Sequence, residues 1–151
     1  MNENWPRWLF ASITKFFDTN KSTLSMYFEG LERNSFQDLP NFVEVRIDGP
    51  YFTEVSKGNW KTYVEVNALV QSHISETDFH KIHKDVGKVV TIFDNSIPLY
   101  KYGDDSSLFG CLDLLQSRSE RIQVSHFGQI DPDKRLMQAT VEGHYQTYLE
   151  V

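Results

Sequence analysis

Cysteine occurs once in the 151 residues, at Cys111, which excludes an intrachain disulfide and is consistent with a reducing cytoplasm. No apolar run approaches the roughly 20 residues that cross a bilayer. The first residues, MNENWPRW, lack the basic-then-apolar layout of a secretory signal. A soluble protein with no membrane partner is therefore expected. Positive charge is also scarce: 15 Lys and Arg against 21 Asp and Glu leave a formal charge of −6. No basic cluster breaks that balance, which argues against adhesion to nucleic acid through a broad basic face. The eight glycines are scattered, and GxGxxG, GxxxxGK[ST] and GxSxG are all missing, so neither a phosphate-cradling loop nor a nucleophile elbow is present. Aromatic residues, by contrast, are plentiful, with eleven Phe, seven Tyr and three Trp. Such side chains are favoured where surfaces meet partners, and oligomerisation becomes an expectation.

The clearest local pattern lies between Asn59 and Phe93. Trp60, Thr62, Val64, Val66, Ala68 and Val70 alternate with Lys61, Tyr63, Glu65, Asn67 and Gln71, the period of a half-buried strand. After a polar joint at 72–77, Phe79, Ile82, Val86, Val89, Val90 and Phe93 fall on one helical stripe. Ser75 and Asp78 resemble a cap for that helix.

Upstream, Asn4 and Pro6 suit a helix start, with Trp5, Trp8, Leu9, Ser12, Ile13, Phe16 and Phe17 on one face and an end near Asp18 to Asn20. The residues Leu24 to Leu31 suggest a short strand or packed loop. A strand from Asn41, with Val43, Val45 and Ile47 on one side, is expected to stop at the turn signal Gly49-Pro50. The segment GPYFTEVSKGNW is longer than a tight hairpin and reads as a two-stranded arm or a loop. Downstream, Ile97 to Tyr102 reads as an edge strand because Pro98 lacks an N–H. An exposed loop follows over 103–107, then a strand over 108–115 that should bury Cys111, a polar connection over 116–120, and a strand at Ile122, Val124 and His126. A turn over 128–135 precedes a long closing strand from Met137 to Val151. The sum is one α+β domain over 1–151, a mostly antiparallel sheet of about six strands with two principal helices packed on one side. A chain of this length can bury roughly 70% of its unfolded surface.

Chemistry-bearing groups are sparse. His80 and His83 are three apart on the second helix, with Asp78 and His73 near, yet HxxH without a third ligand reads as a solvated helix face. His126 and His144 read as hydrogen-bonded sheet histidines. The acidic pairs Asp104-Asp105 and Asp131-x-Asp133 sit in turn-like sequence, where Asp is favoured for its Asx-turn bonds. No catalytic residue, cofactor or metal ligand is assigned.

The phrases VRIDGPYFTEVSKGNWKTYVEVNALVQS, HKIHKDVGKVV and HFGQIDPDKRLMQATVEGHY resemble the small structural proteins of tailed-bacteriophage virions. Their order of helix, strands, long strand, helix and closing strands is similar to that of tail terminator proteins. The resemblance implies a virion protein of the tail or neck, assembled in the host cytoplasm, that forms a homo-hexameric ring. That ring would cap the tail tube protein, end its polymerisation and dock the head connector or stopper, while DNA passes the bore without sequence-specific binding. A stopper or adaptor is the neighbouring reading. A non-viral protein-binding module and a small enzyme or metal protein are readings of other classes. Edge strands and arms supply ring contacts, because unpaired backbone groups extend a neighbour's sheet. The candidate interface residues are accordingly Tyr51, Phe52, Thr53, Glu54, Lys57 and Trp60 of the arm, Tyr100, Tyr102, Asp104 and Asp105 of the Pro98 strand and its loop, and Asp131, Lys134 and Arg135 of the following turn.

Overall fold

Strands β3 (Asn59–His73) and β7 (Leu136–Glu150) pair antiparallel along their whole lengths, from Asn59 opposite Glu150 to His73 opposite Leu136. The computed structural model describes residues 1–30, 38–115, 122–131 and 133–151. The alternation that marks β3 in the sequence is its burial pattern: Val64, Val66, Ala68 and Val70 are buried, as are their cross-strand neighbours Tyr145, Val141 and Ala139. Each fully buried valine of this row contributes roughly 1.5–3 kcal/mol of transfer free energy. The opposite face of the same strands carries Tyr63, Glu65, Asn67 and Leu69, all half-buried.

Around this pair the described residues form a seven-stranded, mostly antiparallel sheet in an α+β fold. The order is β1 (Met26–Phe28), β2 (Phe42–Ser56), β3, β7, β5 (Leu108–Leu114), β4 (Ile97–Tyr100), with β6 (Ile122–Asp131) also on β7. Only β1 and β2 run parallel. The sheet exceeds the expected six strands because the short Met26–Phe28 stretch, whose periodicity was ambiguous, pairs with Val43–Val45 and becomes a strand.

Helix α1 (Trp5–Asn20) buries Trp5, Trp8, Leu9, Ser12, Ile13 and Phe17, close to the expected stripe, with Phe16 half-buried. Asn4 occupies the N-cap position without a side-chain capping bond; its side chain instead accepts from the Arg7 guanidinium at 3.1 Å. Helix α2 (Lys81–Phe93) begins later than expected. The Ser75 hydroxyl does accept the Asp78 N–H at 3.0 Å, but it closes a turn ahead of the helix, whose N-cap is His80. Phe79 therefore lies outside the buried stripe and is exposed. The stripe proper is Ile82, Asp85, Val86, Val89, Ile92 and Phe93. The Asp85 carboxylate is admitted to it because Ser72 Oγ and Lys81 Nζ donate to it at 2.6 and 2.8 Å.

Phe17 and Phe93 meet edge to face at 5.1 Å between centroids. The Tyr145 hydroxyl donates to the Phe93 carbonyl at 2.7 Å, which joins the end of α2 to β7. Both aromatic pairs belong to one continuous cluster of buried side chains. Among the described residues no helix is long and apolar enough to cross a membrane.

Two strand boundaries differ from expectation. Strand β2 does not stop at Gly49-Pro50; it absorbs the pair as a register shift between Asp48 and Tyr51 and continues to Ser56. A missing N–H is harmless there if it points to an unpaired edge. Strand β6 likewise runs on to Asp131 past Gly128, with shifts at His126/Gly128 and Gln129/Asp131. The polar connection expected over 116–120 lies outside the described residues. Cys111 is only half-buried, and burial together with the charge of Asp113 raises its thiol above the ordinary range.

Candidate subunit interface

The arm anticipated after Gly49 is a tight hairpin whose two-residue loop is Lys57-Gly58. Gly58 carries φ +80°, a backbone that a side chain would disfavour. Thr53 pairs with Lys61 and Glu54 with Trp60, while Lys61, Trp60 and Asn59 pair on their other side with Tyr148, Leu149 and Glu150. The arm is thus three strands wide rather than two. Among the described residues β2 is paired on its outer side only at Val43–Val45, by β1. From Arg46 to Ser56 no described residue pairs with that edge.

The arm residues divide by face. Tyr51, Thr53, Glu54 and Lys57 are exposed, with Val55 and Tyr148 adding apolar surface the sequence reading missed. Tyr51 donates to Asp48 at 2.7 Å, and that bond, with the Asp48 charge, raises its phenol above the usual range. Phe52 and Trp60 are half-buried and pack on the core. Phe52 stacks on Trp5 at 5.9 Å, so these two anchor the arm and are poorly placed to meet a partner. A strand pattern distinguishes the faces only once the shift at Gly49-Pro50 is known, which is why both were grouped with Tyr51.

The second candidate region is held mainly within the subunit. Tyr100 and Tyr102 are half-buried, 5.5 Å apart between ring centroids, with Lys15 Nζ 5.1 Å from the Tyr102 ring. The Tyr100 N–H donates to Ser12 Oγ at 2.9 Å. Asp104 accepts from Trp8 Nε1 at 2.9 Å and from Arg7 at 3.0 Å. Asp105 accepts from both the backbone and the hydroxyl of Ser107, which lowers its carboxyl below the usual range. Asp104 thus ties the loop to α1, and Asp105 shapes the loop itself.

In the third region Asp131 accepts the Lys134 N–H at 3.3 Å. Lys134 and Arg135 are exposed and line a depression of about 830 Å³ with Asp38, Pro40 and His73; Arg135 also donates to Glu76 at 3.4 Å. The arm and this turn lie at opposite ends of β3 and β7, so the three candidate regions do not form one surface.

His80 and His83 are exposed, as a solvated face requires. The third imidazole missing from the sequence pattern comes from β6: His126 lies 5.0 Å from His83 between ring centroids, and His80 lies 6.2 Å from His83. Another group escaped the sequence reading altogether. Glu65, Glu142 and His144 converge on the face of β3 and β7 opposite the helix-side row of buried aliphatics. Alongside them Arg46 pairs with Glu44, and its guanidinium is held further into its charged range by that bond.

Comparison with protein-family models and with curated proteins found no match for this chain.

Proposed function

We propose that this chain is the ring-forming subunit of a phage tail terminator, a virion structural protein that closes the tail tube and presents a docking surface to the head connector. The observation that carries the reading is the β2 edge from Arg46 to Ser56, unpaired among the described residues, at the end of a three-stranded arm. An open edge pairs with a different edge on the next copy, a heterologous contact that closes when the rotation between copies divides a circle. Exposed Tyr51 and Val55 supply apolar contact area beside it, and Tyr148 adds more two strands away on β7.

The reading includes both helices covering one face of the sheet, which leaves the other face and the arm for partners. The Phe17–Phe93 contact between the helices supports this. Six copies at −6 each carry a formal charge of −36, and carboxylates facing the bore would repel passing DNA.

The test is light-scattering mass during size-exclusion chromatography at two concentrations, with negative-stain imaging in the presence of purified tail tubes. A mass near six times 17.6 kDa, or rings capping tube ends, is the expected result. A monomer that leaves tube ends bare would replace this reading with a protein-binding module that uses the same edge.

A further inference from the structure

The face of the sheet opposite the buried aliphatic row is built from alternate residues of three strands. On β3 these are Tyr63, Glu65 and Asn67; on β7 they are Glu142 and His144. The β3–β7 register sets Glu65 directly opposite His144 and Asn67 directly opposite Glu142. On β2, Asp48 pairs with Glu65 from the other side. Two carboxylates, Glu65 and Glu142, are thereby drawn to one imidazole, with Asp48 one strand further out. Among the described residues neither Glu65 nor Glu142 forms an ion pair with Lys or Arg.

His144 is only 4% exposed, although it stands on a face of half-exposed polar side chains. Its ring is held at one nitrogen and faces a carboxylate at the other. Nδ1 is hydrogen-bonded with the Tyr63 hydroxyl, and the Tyr63 ring stacks over it at 5.9 Å and 27°. Nε2 lies 2.6 Å from a Glu142 carboxylate oxygen. Asn67 orients Glu65 by donating to it at 3.3 Å. One ligand atom from each of Glu65, Glu142 and His144 falls within 4.8 Å of the others.

We propose that Glu65, Glu142 and His144 bind a divalent first-row transition ion. One imidazole nitrogen with two carboxylates is a borderline donor set of the kind that takes Zn²⁺, Mn²⁺ or Fe²⁺, whereas Ca²⁺ and Mg²⁺ prefer oxygen alone. Ligating histidines usually fix the second ring nitrogen through a hydrogen bond, which sets the tautomer. Tyr63 is suited to this because its hydroxyl both donates and accepts. In the metal-free chain the hydroxyl donates to Nδ1, and the protonated Nε2 faces the Glu142 carboxylate. With the ion bound, Nδ1–H donates to Tyr63, and Nε2 turns its lone pair to the metal. The proton count on the imidazole is unchanged. The ion also offsets the repulsion between Glu65 and Glu142. This inference is independent of ring formation.

The experiment is calorimetric titration of the full chain with ZnCl₂ and with MnCl₂ near neutral pH, with circular dichroism to confirm each variant's fold. One ion per chain is expected. Glu65→Gln with Glu142→Gln, at half-exposed positions, should weaken binding at least tenfold, as should His144→Gln; Tyr63→Phe should weaken it by about 10-fold to 100-fold, the usual cost of losing an outer hydrogen bond. The triple variant His80→Gln, His83→Gln, His126→Gln should bind as the parent does. The proposal is overturned by the absence of saturable binding to the parent chain, by binding that survives in the folded Glu65→Gln, Glu142→Gln variant, or by binding that vanishes only in the triple variant.

Discussion

Gly143 of β7 lies so close beneath the Phe93 ring that a methyl group at residue 143 would come within 2.5 Å of it. The close approach is what lets the last turn of α2 rest on the central strands, and Val66 faces the same gap from β3. Gly143 is not among the glycines with positive φ, so its requirement is steric rather than conformational. Gly143→Ala should destabilise the fold by about 1–3 kcal/mol through overpacking, despite the entropy an alanine removes from the unfolded chain. Urea unfolding should show a lower midpoint with an unchanged slope. An unchanged or higher midpoint would mean that the Phe93 ring shifts freely.

The loop at Asp104 should report on Trp8 more than on charge. Trp8 is buried, and its indole N–H has Asp104 as acceptor; Arg7 and Asp104 are both about half exposed, so their ion pair contributes little. Asp104→Ala should cost about 1–2 kcal/mol by leaving a buried donor unpaired. Asp104→Asn, which keeps an acceptor oxygen, should cost clearly less. Equal losses in chemical denaturation would contradict this division.

Much of the fold was legible because its strongest signals are local. The alternation of β3 and the stripe of α1 follow directly from burial on one face. What was illegible depended on register. Tyr63, Glu65 and Asn67 are visible as alternate residues, and so are Glu142 and His144, yet nothing local says that Glu65 stands opposite His144 across so large a sequence separation. Gly49-Pro50 was read as a stop because the pair is a turn signal, whereas β2 absorbs it as a register shift between Asp48 and Tyr51. Ser75 and Asp78 made their bond, but local chemistry does not distinguish a free-standing turn from the first turn of a helix. Asp104 looked like an ordinary turn aspartate because its partner, Trp8, is almost a hundred residues away.

The open edge of β2 predicts a charge effect on assembly. Val55 is 51% exposed near the tip of the arm, and lysine on an exposed edge strand opposes pairing with another chain. Val55→Lys should leave the monomer's unfolding midpoint within about 0.5 kcal/mol of the parent, as for other exposed substitutions, while shifting light-scattering mass toward one subunit. If the variant assembles as the parent does, the proposed ring contact is not at this edge, and the turn at Lys134 and Arg135 becomes the next surface to alter.

Tyr145 predicts how stability falls in alkali. The side chain is fully buried, and burial, with a smaller effect from the Asp94 charge, raises its phenol far above the ordinary value of 10.0. In the unfolded chain that phenol ionises near its ordinary value while the folded chain still holds the proton. Above about pH 10 the unfolded state therefore binds fewer protons than the native state. Stability is complete below that pH and declines as pH rises, by at most about 1.4 kcal/mol per pH unit from this group. Tyr145→Phe removes the titrating group along with its bond to the Phe93 carbonyl. It should cost about 1 kcal/mol at neutral pH and make the alkaline decline shallower. Urea midpoints of parent and variant measured from neutral pH to beyond pH 10 should converge; curves that stay parallel would assign the alkaline loss to the other tyrosines and lysines.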